Sequence, residues 1–300
     1  MTTRRRGSTL LELLVALPIF AIIGAMGALL LLETHRLARN SDSAITSTRE
    51  LRHATAVLAG DLRPLAAIDI RAWSDTAIEF DATVGIGIVC DARAPRNELH
   101  LLPTSNADAG RSSWNVTPQS GDAVIAWRSA TGISAEPIAM RSTLSSISAT
   151  RNCSASPQLL GSATPSALTQ RLTLRDTLPQ SVMLGTPVRV ARRTRLALYH
   201  ATDGAWYLGR TSWSGTGWDV IQPVAGPLQS PRNHGLHIEM RDSMGTTVSP
   251  ATSPAAQLHI ELRAPRRTPN VTRASAAVLV DSAIVDITMR ADRSGEIPQC

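Results

Sequence analysis

The chain has 300 residues, 43% of them hydrophobic and 18% charged, a balance that excludes wholesale disorder and supplies enough apolar surface for one large domain or two ordinary ones. Its formal charge of +6 comes from 30 basic side chains, every one an arginine, set against 24 acids, and Arg4, Arg5 and Arg6 supply half of that excess. What remains is too nearly neutral to argue for a nucleic-acid binder, and an arginine-only, alanine-rich composition reads as genome bias rather than as a phosphate-binding surface.

The N-terminus is the most informative stretch. MTTRRRGSTLLE leads into twenty uninterrupted apolar positions, residues 13–32, LLVALPIFAIIGAMGALLLL. As a helix at 1.5 Å per residue these span about 30 Å, the thickness of a bilayer core. The arginines before the run, with no comparable cluster directly after it, predict a cytoplasmic N-terminus and an outside location from residue 33 onward. A secretory signal peptide has a shorter apolar region, about 7 to 15 residues, and a small-x-small cleavage site; here the run ends LLLLETHR. Glu12 is the anomaly, because a carboxylate entering an apolar helix needs a partner.

The basic leader, Gly7, STLLE and the apolar run together closely resemble the cleavage and methylation signal of type IV prepilins and type II secretion pseudopilins. The resemblance covers roughly the first 35 residues and implies that a prepilin peptidase cuts between Gly7 and Ser8 on the cytoplasmic face and methylates the new terminus. Glycine suits that position because no Cβ obstructs the backbone. The resemblance also implies a partner for Glu12. After cleavage Ser8 carries an amine, and Glu12 would pair with the amine of a neighbouring subunit, so that register is selected by neutralising two charges among apolar helices. The family usually has phenylalanine where this chain has Ser8. Pro18 removes a backbone donor and is expected to kink or loosen the helix, and Gly24 with Ala28 forms a small-xxx-small step that permits close helix contact.

Beyond the apolar run, Leu37, Ala44, Leu51 and Leu58 recur every seven residues, widened by Ile45, Ala54 and Leu62, and predict an amphipathic continuation that ends near Gly60 and Pro64. Polar Ser41, Thr48 and Thr55 make this a weak coiled-coil seam, so the expectation is a helix laid on a sheet. The expected organisation is a leader over residues 1–7, a helix over 8–63 with its membrane part at about 13–32, and an extracytoplasmic β-rich head over 64–300. The fold class is α+β, with a long N-terminal helix, half membrane and half amphipathic, packed on a globular head in the pilin lollipop manner.

Alternating apolar segments predict strands in TAIEF (76–80), NELHLL (97–102), DAVIAW (122–127), RLTLR (171–175) and PVRVA (187–191). RTRLALYHATDGAWYLGRTSW (193–213) reads as a hairpin turning at Asp203 and Gly204. GLHIEMRD (235–242) and QLHIELRA (257–264) nearly repeat each other and are expected to be neighbouring strands, with VLVDSAIVDITMR (278–290) supplying the last. This order resembles, more loosely, the larger minor pilins of the W type and the J-type pseudopilins.

Candidate chemistry in the head is sparse. His237, Glu239, His259 and Glu261 sit at matching places on the two similar strands, and such ligands suit zinc. Arg241 and Arg263 share their face, however, and a solvated face with cross-strand ion pairs accounts for all six. No G-x-S-x-G, H-E-x-x-H, glycine-rich phosphate loop or CxxC occurs, so the expectation is no enzyme, no metal and no cofactor. Trp206, Tyr207, Trp213 and Trp218 lie near Arg192, Arg193, Arg195 and Arg210; core and turn anchoring is the simpler account, ahead of a partner patch or a DNA-stacking platform. Of the three cysteines, Cys90 with Cys153 is the favoured disulfide, closing a loop whose constraint stabilises by about 4 kcal/mol in the chain-entropy picture. Cys153 with the terminal Cys300 comes next, on the resemblance, because pilins often tie down their C-terminal region; three free thiols are the remaining alternative.

The resemblance implies a minor pilin or pseudopilin whose partners are the prepilin peptidase, other pilin subunits and the inner-membrane assembly platform. It would insert in a bacterial inner membrane with the head periplasmic before joining a pilus or pseudopilus. A head of roughly 240 residues is bulky for a shaft subunit, which points to the fibre tip. The alternative is a single-pass anchored binding module or adhesin.

Overall fold

The computed structural model describes residues 10–91, 97–102, 112–128, 138–150, 169–177, 182, 184–248, 256–265 and 280–289. The chain is α+β, with one long N-terminal helix and a largely antiparallel set of strands. Helix α1 covers Leu10–Leu62, 53 residues, and stays helical through Pro18. Among the described residues, its turns up to Glu50 form one compact unit with Pro265, Val280 and Asp281, and the others form the second.

Among the described residues thirteen strands follow: β1 (Ile70–Ser74), β2 (Ala77–Asp91), β3 (Glu98–Leu101), β4 (Ser113–Trp114), β5 (Ala123–Arg128), β6 (Ile138–Thr150), β7 (Thr169–Leu174), β8 (Pro187–His200), β9 (Trp206–Ser212), β10 (Gln222–Leu228), β11 (Leu236–Arg241), β12 (Gln257–Pro265) and β13 (Val280–Thr288). The predicted hairpin is β8 and β9, paired from Thr194 opposite Ser212 to His200 opposite Trp206. Gly204 takes φ +81° at its turn, a conformation glycine adopts without a Cβ clash. The Asp203 carboxylate accepts the Ala205 N–H at 2.9 Å and the Tyr207 hydroxyl at 2.7 Å. The two near-repeats are β11 and β12, antiparallel neighbours with His237 opposite Glu261 and Glu239 opposite His259. Together with β13 they make a three-stranded sheet.

The larger sheet closes on itself. Pairings run β2 to β3, β3 to β7, β7 to β6, β6 to β5, β5 to β8 and back from β8 to β2, a six-stranded antiparallel barrel. Closure leaves no exposed edge around the ring. The interior is filled by small aliphatic side chains: Val84, Val89, Leu99, Leu101, Val124, Ala126, Leu144, Leu172, Leu174, Val188 and Val190 are all buried and form one cluster. Strands β2 and β8 are long enough, at 15 and 14 residues, to serve twice. They line the barrel where Gly85 faces Val190, shift register between Thr83 and Gly85, and then run out of it together. A Cβ on Gly85 would lie 2.2 Å from the Trp114 ring and 2.4 Å from the Ser113 carbonyl, so β4 crosses β2 only because a glycine is there.

Outside the barrel, β2 and β8 continue into an open sheet with β1, β9 and β10. A second core lies here: Ile78, Phe80, Leu196, Leu198 and Leu208 from this sheet meet the apolar face of β11 and β12 (Leu236, Ile238, Met240, Leu258, Ile260 and Leu262). The last turns of α1 contribute Leu51, Ala54, Leu58 and Leu62, all buried in the same cluster. Full burial of a leucine side chain stabilises by about 1.5 to 3 kcal/mol, so these turns are held by packing rather than by intrinsic helix propensity.

The heptad expectation needs a correction upstream. Leu37 is 62% and Ile45 55% exposed, whereas Ser47 is buried. In the N-terminal unit the Ser47 hydroxyl donates to the Asp281 carboxylate, so the inward face there is polar and the sequence stripe is not followed.

Candidate functional site

Residues 13–32 form the apolar part of α1, and its large side chains lie open: Phe20, Ile22, Met26, Leu29 and Leu30 are all exposed, Phe20 to 74%. Water solvates such a band poorly. Among the described residues, α1 is one helix long and apolar enough to cross a membrane. Gly24 and Ala28 are exposed, and Gly24 has open space among the described residues where a Cβ would stand. Glu12 falls within the helix. Gly7, Ser8 and the Glu12 side chain lie outside the described residues.

Cys90, fully buried near the end of β2, is disulfide-bonded. Its favoured partner Cys153 and the alternative Cys300 both lie outside the described residues.

On β11 and β12 the histidines and glutamates share a face, but the arginine–glutamate pairs run along each strand rather than between these two, and the cross-strand pair that forms is with β13. Arg241 donates to Glu239 at 2.9 Å and Arg263 to Glu261 at 2.8 Å, each two residues away on its own strand. The Nε2 of His237 lies 3.0 Å from Glu239 Oε1. His259 turns instead to β13, with Nδ1 2.6 Å from Asp286 Oδ1. Hydrogen bonds from Arg241 and then His237 hold the Glu239 carboxyl below the ordinary 4.5 of glutamate. A hydrogen bond from Arg263 does the same for Glu261. No group of three or more metal-binding side chains converges among the described residues.

The aromatic residues near the hairpin separate into two groups. Trp206 packs against the second core and lies 5.0 Å from the His200 ring. Trp213 and Trp218 meet edge to face with centroids 5.5 Å apart, and the Arg193 guanidinium sits 5.4 and 5.1 Å from those two rings. Arg193 also pairs with Glu79. Of the other arginines here, Arg192 binds Asp122 through Nε at 2.8 Å and Nη2 at 2.9 Å, and also donates to the Thr117 carbonyl at 3.1 Å. The Asp122 bond holds the Arg192 guanidinium above its ordinary range. Arg210 lies 3.1 Å from Asp61. Arg192, Arg193 and Arg210 are thus each paired with an acid of the same chain.

A grouping missed by the sequence reading lies at one mouth of the barrel. Asp81 is fully buried and accepts from Arg71 Nε, at 3.0 Å to Oδ1 and 3.2 Å to Oδ2, and from Arg141. Strand register converges there: Asp81 stands opposite Arg193, and Ala123 opposite both Thr143 and Ala191. Arg175, just past β7, joins through its N–H to the Thr143 carbonyl at 2.8 Å.

Compared with known protein families, curated proteins and solved structures, the chain matches none.

Proposed function

We propose that this chain is a structural, non-enzymatic minor pilin or pseudopilin, cut after Gly7 and assembled through Glu12 into a type IV pilus or type II secretion pseudopilus. The reading rests on one observation, the leader RRRG followed by STLLE and twenty apolar residues. The length and exposure of α1 support it, because an open apolar band needs either lipid or the helices of other subunits around it. On this reading the leader is cytoplasmic, residues 13–32 lie in a bacterial inner membrane, and the strands fold in the periplasm, where the disulfide at Cys90 is at home. Its partners are the prepilin peptidase, neighbouring pilin subunits and the inner-membrane assembly platform, and the bulk of the head favours a place at the fibre tip.

Mass spectrometry of the intact protein and its N-terminal peptide, recovered from native membranes, tests the reading. A mature chain starting at Ser8 with one added methyl group is expected. A chain that retains Arg4 to Gly7 in cells with an active prepilin peptidase overturns it in favour of a single-pass anchored binding module.

A further inference from the structure

The barrel mouth holds a cavity of about 220 Å³ lined by Arg71, Arg141, Arg175 and Arg193, with Asp81 and Trp213. Four guanidinium groups face one carboxylate of the lining, and Glu79, bound to Arg193, balances a second. The site is left with an excess of two positive charges.

Each guanidinium has five N–H donors, and few are taken. Arg71 and Arg141 bind Asp81, Arg193 binds Glu79 through Nε, and Arg175, an exposed side chain, makes no side-chain hydrogen bond or ion pair among the described residues. The clustering is imposed by the fold, because Arg71 and Arg141 share the buried Asp81 and Arg193 packs against the edge-to-face pair of Trp213 and Trp218. Holding like charges together in this way before any ligand arrives reduces the ordering cost of binding. Barrel mouths are also common ligand positions.

Size and charge narrow the ligand. The cavity lies below the roughly 300 to 1,000 Å³ typical of sites for drug-sized ligands, and planar guanidinium forks match the paired oxygens of phosphates and carboxylates. We propose that the barrel mouth binds a small doubly charged oxyanion of the phosphate-monoester class, with Arg175 as its principal uncommitted donor. This inference is independent of the pilin reading, which neither requires nor supplies such a site.

The test is isothermal titration of the full chain, in detergent at low ionic strength, with inorganic phosphate and with glycerol 3-phosphate as a headgroup-like ester, each against sodium chloride of matched ionic strength. Saturable binding in the millimolar range or tighter is expected, weakened roughly tenfold in Arg175→Ala and unchanged in Arg232→Ala, an arginine outside the cavity. Arg175 is exposed and supports no buried acid, so its removal leaves the fold intact. Tighter binding of the ester assigns the site to a headgroup or sugar phosphate; tighter binding of inorganic phosphate assigns it to the free ion. Failure to saturate by about 50 mM, weaker than any useful millimolar affinity, overturns the proposal. Equal weakening by Arg175→Ala and Arg232→Ala, the mark of diffuse charge, also overturns it.

Discussion

Asp81, Asp69 and Asp122 are buried acids, and each is met by arginine: Asp81 by Arg71 and Arg141, Asp69 by Arg189 at 2.9 Å, and Asp122 by Arg192. Two of them also close a turn, since Asp69 accepts the Ala66 N–H and Asp122 the Gln119 N–H. At Asp69 and Asp122, each met by one arginine only 14% exposed, removing one partner would leave the other buried without compensation, which is the costly case. Glu239 and Glu261 are different, being partly exposed and held by arginines of their own strands. Their folded pKa values lie below those of the unfolded chain, so the stabilisation is complete above the ordinary 4.5 and is lost as pH falls through the folded values. Thermal unfolding followed from pH 7 down to about 3 is therefore expected to show a falling acid limb that Glu239→Gln makes shallower. An unchanged limb would show that Arg241 and His237 do not favour the ionised carboxylate. None of the three buried acids stood out in the sequence: Asp81 lies in a strand, Asp69 in a helical turn before β1 and Asp122 just before β5, and an aspartate at any of these places reads as solvent-facing until the covering layer is known.

At the scale of elements, helix α1 separates what periodicity shows from what packing uses. Leu37 and Leu58 belong to one heptad series, yet Leu58 is wholly buried and Leu37 is open. Leu58→Ala is expected to lower stability by about 2 to 5 kcal/mol through lost burial and the cavity left behind. Leu37→Ala should stay within about 0.5 kcal/mol, as for exposed sites in general. Chemical denaturation of the full chain in detergent would compare them, and equal losses would contradict the division. Among the strands, alternation located the start of β2 but not its reach, because the continuation VGIGIV breaks the two-residue rhythm with glycines, of which Gly85 admits the Trp114 crossing, and it read the single strand β8 as two segments, 187–191 and the first arm of the hairpin. Strand β6 was not predicted: IAMRSTLSSISAT is rich in serine and threonine, and from its midpoint onward only Leu144, with the half-buried Ile147, reaches the barrel core. Strand β10, with Pro223 and Pro227, was missed for a related reason, since prolines argue against a central strand and β10 lies at the sheet edge.

For the whole molecule, the proposed role turns on the apolar helix and on Glu12. Glu12→Ala is expected to leave the chain membrane-inserted and folded while removing it from assembled fibres, because the partner amine would lose its countercharge, a loss of about 3 to 5 kcal/mol for a buried pair. Immunoblots of sheared fibres against membranes would show the variant only in the membranes. A variant that enters fibres at the normal level would remove Glu12 from the assembly step. The sequence by itself determined the properties that depend on neighbours a few residues apart. These are the length of the apolar run, the spacing of Gly7 and Glu12, the hairpin at Asp203 and Gly204, and the strand character of the two near-repeats. Tertiary structure alone decided the barrel's closure, the double use of β2 and β8, and which acid each arginine meets. Those outcomes depend on register between distant segments, as where Arg189 finds Asp69 from 120 positions away, and local pattern carries no record of such pairings.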